Sequence, residues 1–122
     1  MAKKILVVDD EIDLLKLVKR CLERCNYKIS TAESGEEALN KIYAESPDLV
    51  ILDINMPNMS GLEVCKRIRT DPLYKKMRIV MLTVKAADTD KVKGLNIGAD
   101  EYLAKPFIPK ELVLRVKNIL GE

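Results

Sequence analysis

Short runs of unbroken apolar character constrain this chain more than any other feature. "KILVV" (4–8), "DLVILD" (48–53), "RIVMLT" (78–83) and, more weakly, "EYLA" (101–104) lack polar alternation. A strand made from such a run must be covered on both faces, as in a parallel sheet packed between helices. "YKIST" (27–31) alternates and suits a sheet edge. Between the runs lie segments with helical spacing. In 12–25 the apolar set Leu14, Leu15, Val18, Cys21, Leu22 and Cys25 marks one helix face. Segments 35–44 and 61–70 each follow a serine, Ser34 and Ser60, with Glu37 and Glu63 at the spacing of a capping box. Segment 88–97 closes at Gly98, and 110–120 opens after Pro109 and stops at Gly121, where helices favour those residues.

Strand and helix thus alternate five times within 122 residues. That is one domain, 1–122, and too few repeats for an eight-fold barrel. The predicted fold is α/β: a doubly wound five-stranded parallel sheet in the flavodoxin-like order 2-1-3-4-5, with helices on both faces. This order puts the alternating strand at an edge and the most apolar run near the centre.

Composition then removes whole classes of chemistry. The chain has no histidine, which excludes Ser-His and Cys-His nucleophile pairs, zinc-hydrolase sites and histidine acid–base catalysis. Cys21, Cys25 and Cys65 are odd in number and form no C-x-x-C pair, so three reduced, partly buried thiols are expected. A net charge of +2 gives no argument for nucleic acid. Lys91, Lys93, Arg115 and Lys117 could form a basic face, which would suit an acidic protein as well as a polynucleotide. No apolar run approaches the ~20 residues of a membrane span, and "MAKKILVVDD" is too short for a signal peptide. A cytoplasmic protein without membrane association is expected.

In open α/β sheets, ligands bind beyond the carboxyl ends of the strands, where strand order reverses. The first predicted strand delivers Asp9, Asp10 and Glu11 there, the third Asp53, the fourth Thr83, and the fifth leads to Lys105. The outlying second strand delivers only Ala32, Glu33 and a helix cap. Each of these groups alone reads as an ordinary turn or surface residue; their convergence on one edge does not. Clustered carboxylates repel unless a cation shares them, and all-oxygen ligation favours Mg²⁺ over zinc. Asp10 and Asp53, with the backbone carbonyl of Asn55, could serve. A carboxylate so placed is a competent nucleophile toward phosphorus. Lys105 can meet one phosphoryl oxygen as a point charge and the Thr83 hydroxyl another, so phosphoryl transfer needs no histidine from this chain.

The sequence closely resembles the receiver domain of bacterial two-component response regulators, such as the stand-alone chemotaxis regulator and sporulation phosphorelay regulators. "ILVVDDE" (5–11), "DLVILDINMPNMSGLEVCKRIR" (48–69), "IVMLT" (79–83) and "GADEYLAKPF" (98–107) carry the resemblance over nearly the whole chain. It implies that Asp53 accepts a phosphoryl group from a phosphohistidine on a sensor histidine kinase or histidine phosphotransfer protein, with small acyl phosphates as substitutes. It implies that Asp9 and Asp10 help hold Mg²⁺ (with Mn²⁺ as a substitute), Asp10 as the direct ligand. Thr83 and Lys105 match the family's hydroxyl and lysine, and Tyr102 its switch aromatic. In the family these residues reshape the surface of the fourth helix, fifth strand and fifth helix, through which a downstream protein is controlled. The bond corresponding to Lys105–Pro106 is usually cis in the family. One departure stands out: the residue after Thr83 is usually very small, and here it is Val84, followed by Lys85. Val84 is expected to crowd the approach to Asp53 and to alter phosphoryl lifetime, unless it merely packs against the fourth helix.

Two other functions compete with a signalling switch. An aspartyl-phosphate phosphatase for small substrates usually places a second acid two residues after its nucleophile; that position is Asn55, and no cap segment is present to enclose a substrate. A turnover enzyme is therefore not expected. A phosphate-independent binding module with a decayed site conflicts with the intact set Asp9, Asp10, Asp53, Thr83 and Lys105. With the last predicted helix ending near Glu122, the chain reads as a single-domain regulator or as the receiver of a longer one.

Overall fold

The computed structural model describes residues 2–84 and 98–122. The expected fourth helix (88–97), with Lys85, Lys91 and Lys93, lies outside the described residues. The elements are β1 (Lys4–Val8), α1 (Ile12–Glu23), β2 (Lys28–Ala32), α2 (Gly35–Glu45), β3 (Leu49–Asp53), α3 (Gly61–Thr70), β4 (Arg78–Thr83), β5 (Glu101–Ala104) and a C-terminal helix (Pro109–Leu120). The strands form one parallel sheet in the order β2-β1-β3-β4-β5, as predicted.

The apolar runs are continuous because both faces are covered. Every residue of β3 is buried, and its neighbours β1 and β4 are exposed only at their first residues, Lys4 and Arg78. The pleat sends alternate side chains to opposite faces. Leu6, Val8, Val50, Leu52, Ile79 and Met81 meet Leu39 and Ile42 of α2 and Val64, Cys65 and Ile68 of α3. Ile5, Val7, Leu49, Ile51, Val80 and Leu82 meet Leu15, Val18 and Leu22 of α1 and Leu112 and Val116 of the C-terminal helix. The edge strand β2 is only half-buried, as its alternation implied.

Local details differ from expectation in informative ways. Helix α1 stops at Glu23 rather than 25, because Asn26 takes the left-handed conformation (φ +68°) and turns the chain into β2. Ser34 caps α2 by accepting from the Glu37 N–H at 3.1 Å, but the Glu37 carboxylate returns to the N–H of Glu33, one residue before the cap. Ser60 caps α3 at 3.4 Å, while Glu63 pairs with Arg67 one turn on. Both reciprocal halves of the predicted capping boxes are therefore replaced. Pro109 is the first helical residue of the C-terminal helix, where its missing N–H costs nothing. Gly98, at φ +93°, has the conformation expected of a residue closing a helix.

Arg69, in the last turn of α3, ties this helix to both neighbouring strands. It donates to the carbonyls of Lys75 (3.1 Å) and Gly98 (2.8 Å) and pairs with Asp100 at 3.2 Å. Asp100 also accepts from the Ile79 N–H at 2.7 Å. A solvated surface arginine would be the ordinary reading of such a position, and nothing in the local pattern distinguishes the two.

Candidate functional site

The strand ends meet as the topology requires. Asp9 follows β1, Asp53 ends β3, Thr83 ends β4 and Lys105 follows β5. Backbone bonds hold the rim together. Ile54 N–H donates to the Leu82 carbonyl at 2.9 Å, and Lys105 N–H to the Thr83 carbonyl at 2.7 Å. The Lys105–Pro106 bond is cis, as the resemblance implied.

Asp53 is almost fully buried, at 2% exposure. Its Oδ1 accepts from the Asn55 N–H at 3.1 Å, and its Oδ2 lies 3.5 Å from the Lys105 ammonium. Oxygens of Asp9, Asp10 and Asp53 all lie within 4.8 Å of one another, Asp9 buried and Asp10 exposed. The loop that follows is shaped by close packing: a Cβ on Gly61 would stand 2.2 Å from the Asp53 carbonyl oxygen. Only glycine lets α3 begin so near the acidic strand end.

The first cation in this cluster belongs to the protein. No basic residue adjoins the carboxylates in sequence, but Lys105 Nζ reaches Asp9 Oδ2 at 2.6 Å and Glu11 Oε1 at 3.3 Å. Burial works against the Lys105 charge, yet contact with Asp9, Asp53 and Glu11 outweighs it and raises the ammonium above its ordinary value. For Asp53 the balance runs the other way. Burial, then the charge of Asp9, push its carboxyl up to about 6, while Lys105 and the Asn55 N–H pull against them. One buried ammonium thus leaves the carboxylates under-compensated. Asp9 Oδ2, beside Lys105, still takes no hydrogen bond of good angle. This all-oxygen donor set fits a hard divalent cation.

Each expected site residue can now be placed. Asp9, Asp10, Asp53, Lys105 and the Asn55 backbone form one cluster, and Thr83 is fully buried at its rim. Tyr102 stands apart on β5, two strands from β3 and half-buried against the α2–α3 side of the core; with strands ~4.8 Å apart it is ~10 Å from the acidic strand end. Val84 is half-exposed and lines a cleft of about 500 Å³ with Glu11, Leu14, Leu17, Lys105, Pro106 and Phe107. None of the three cysteines is in a disulfide; Cys21 and Cys25 are half-buried and Cys65 is buried, with burial pushing the Cys65 thiol up to about 11. The contact between Glu11 and Lys105 was not foreseen. Its only sequence signal is a third acid behind Asp9 and Asp10.

Residues 5–117 match the family model described as the response regulator receiver domain. The chain belongs to that family. This receiver domain is 51% identical over 120 residues to the alkaline phosphatase synthesis transcriptional regulatory protein PhoP of Bacillus subtilis, covering 98% of this chain and 49% of that protein. It spans about half the length of the curated relatives it matches. Among solved structures it is similar to the chemotaxis response regulator CheY4 of Vibrio cholerae. The two share 36% identity and a TM-score of 0.90, over 98% of this chain and 99% of that one. The response regulator DrrB of Thermotoga maritima, an OmpR/PhoB homologue, has the same identity and a TM-score of 0.87, over 99% of this chain and 54% of that one. As a receiver domain the chain is a component of two-component signalling, and the family's role is a phosphorylation-controlled switch fed by a kinase. None of the described helices is long and apolar enough to cross a membrane.

Proposed function

We propose that residues 1–122 act as one phosphorylation-controlled switch in which Asp53 accepts a phosphoryl group from a sensor histidine kinase or a histidine phosphotransfer protein. The observation that carries this reading is the Asp53 carboxylate itself: buried, oriented by the Asn55 N–H through one oxygen, and faced by Lys105 through the other. An Asp53 oxygen forms the new O–P bond as the donor's N–P bond breaks. The imidazole nitrogen keeps the bonding electron pair. Lys105 and the Thr83 hydroxyl then each take one phosphoryl oxygen. Asp9, Asp10, Asp53 and the Asn55 carbonyl would hold Mg²⁺ or Mn²⁺, whose charge neutralises the phosphoryl oxygens.

Tyr102 is the reporter in this reading. Its ring shares a core with α3, and β5 runs directly into Lys105, so movement at the acidic end reaches the β5 surface through one short strand. The output is control of a partner or of an attached segment through the fourth-helix, β5 and C-terminal-helix surface, by protein contacts rather than by direct binding of nucleic acid, in the cytoplasm. It is a switch and not a turnover enzyme.

The test is incubation with acetyl phosphate and Mg²⁺ followed by intact mass. A single phosphoryl adduct is expected, lost in Asp53→Asn and absent with a chelator. An adduct retained in that variant would overturn the role of Asp53.

A further inference from the structure

Glu11 occupies a place that the chemistry above leaves unused. Its backbone is committed: the N–H donates to Asp9 Oδ1 at 2.9 Å, and the carbonyl accepts from Leu15 as α1 begins. Its side chain has no such duty. It is 65% exposed, and its Oε1 lies 3.3 Å from the Lys105 ammonium. Lys105 therefore stands among three carboxylates, at 2.6 Å from Asp9, 3.3 Å from Glu11 and 3.5 Å from Asp53. The two shorter contacts both lie on the segment after β1, and the phosphoacceptor is the most distant of the three. An ammonium has three N–H bonds to give, so any oxygen arriving on Asp53 competes for a donor already engaged.

We propose that Glu11 is a positioning residue that acts through Lys105: its carboxylate holds the ammonium back toward the β1–α1 connection and slows phosphoryl transfer onto Asp53. This inference rests on the proposed role of Asp53. In the transfer from acetyl phosphate, an Asp53 oxygen bonds to phosphorus, the acyl O–P bond breaks, and acetate leaves with the electron pair. Lys105 keeps its protons throughout and contributes only charge and N–H donation. Those are available to the phosphoryl oxygens once Nζ swings from Glu11 toward Asp53. Because Glu11 is exposed, its hold on Lys105 is that of a half-solvated ion pair, so release is worth about a two- to five-fold change in rate.

Adduct formation with acetyl phosphate is followed by intact mass for the unaltered chain, Glu11→Gln and Glu11→Asp, at saturating Mg²⁺ so that metal affinity does not enter. Glu11→Gln is expected to react about two- to five-fold faster. Glu11→Asp separates contact from charge, because it keeps the negative charge but withdraws the carboxylate by one methylene. It should therefore react like the glutamine variant. If it reacts like the unaltered chain, Glu11 merely repels an anionic donor and the inference is overturned; equal rates in all three overturn it as well. If the unaltered chain takes up no phosphoryl group, the reading of Asp53 fails and this inference falls with it. An adduct with three equal rates sinks Glu11 alone. Exposed substitutions of this kind change stability little, which matching thermal unfolding curves will verify.

Discussion

Replacing Asp53 by Asn should stabilise the receiver domain at neutral pH and do nothing for it in acid. Asparagine is close in shape and keeps an oxygen for the Asn55 N–H, but it removes a buried charge set against Asp9. In the folded chain burial and Asp9 raise the Asp53 carboxyl from 3.8 to about 6. At about 1.36 kcal/mol per pH unit, holding it ionised costs up to ~3 kcal/mol. Water at the mouth of the crevice screens part of this, which leaves ~1–2 kcal/mol. For a chain of this size that is ~4–8 °C in melting temperature.

The direction with pH follows from proton linkage. Below about 3.8 both the folded and the unfolded chain carry the proton, and Asp53 imposes no charge penalty. Between 3.8 and about 6 the folded chain binds more protons than the unfolded one, so stability drops as pH rises. Above about 6 the whole penalty is present. Thermal unfolding of both chains in a chelator should therefore show a gap that is widest at pH 7–8 and closes toward pH 4. Lys105 does not confound the comparison, since its contacts with Asp9 at 2.6 Å and Glu11 at 3.3 Å do not involve Asp53. A variant no more stable at pH 8, or a gap constant across the range, would refute the electrostatic account of this site.

Three further outcomes follow from the same geometry. Mg²⁺ at ten times its dissociation constant should stabilise the unaltered chain by ~1.4 kcal/mol, and Asp10→Asn much less; equal melting shifts in the two would remove Asp10 from the metal site. Gly61→Ala brings a methyl within 2.2 Å of the Asp53 carbonyl, so a loss of ~2–4 kcal/mol in denaturant titration is expected, with slowed phosphorylation. A mutant of native stability would show that the loop yields freely. Val84→Ala should change the rate of phosphoryl loss several-fold if the cleft beside Lys105 is a route for water or donor, and an unchanged lifetime measured by mass decay would end that idea.

What the sequence disclosed, and what it withheld, divides along a physical line. The acidic cluster was legible because strand ends are set by short-range periodicity and topology: once "DLVILD" is a central buried strand, Asp53 can be nowhere but at the crevice, and Asp9 must stand beside it. Lys105 followed from the same strand-end argument on β5, whereas Tyr102 was singled out only by the resemblance to receiver domains. The partners of long side chains were not legible. Lys105 settled on Asp9 and Glu11, Arg69 on Lys75, Gly98 and Asp100, and Glu37 on Glu33 rather than Ser34. Each choice is made by a flexible side chain after the backbone is in place, among acceptors that the tertiary path brings close, and periodicity carries no record of it. Among them the exposed Glu11 contact is the one most easily exchanged, since an exposed ion pair contributes at most ~1 kcal/mol. A switch needs groups of this second kind. Asp53 is held at the end of a fully buried strand, whereas Lys105 has three carboxylate neighbours at graded distances and, on the proposed reading, would choose among them again once Asp53 carried a phosphoryl group.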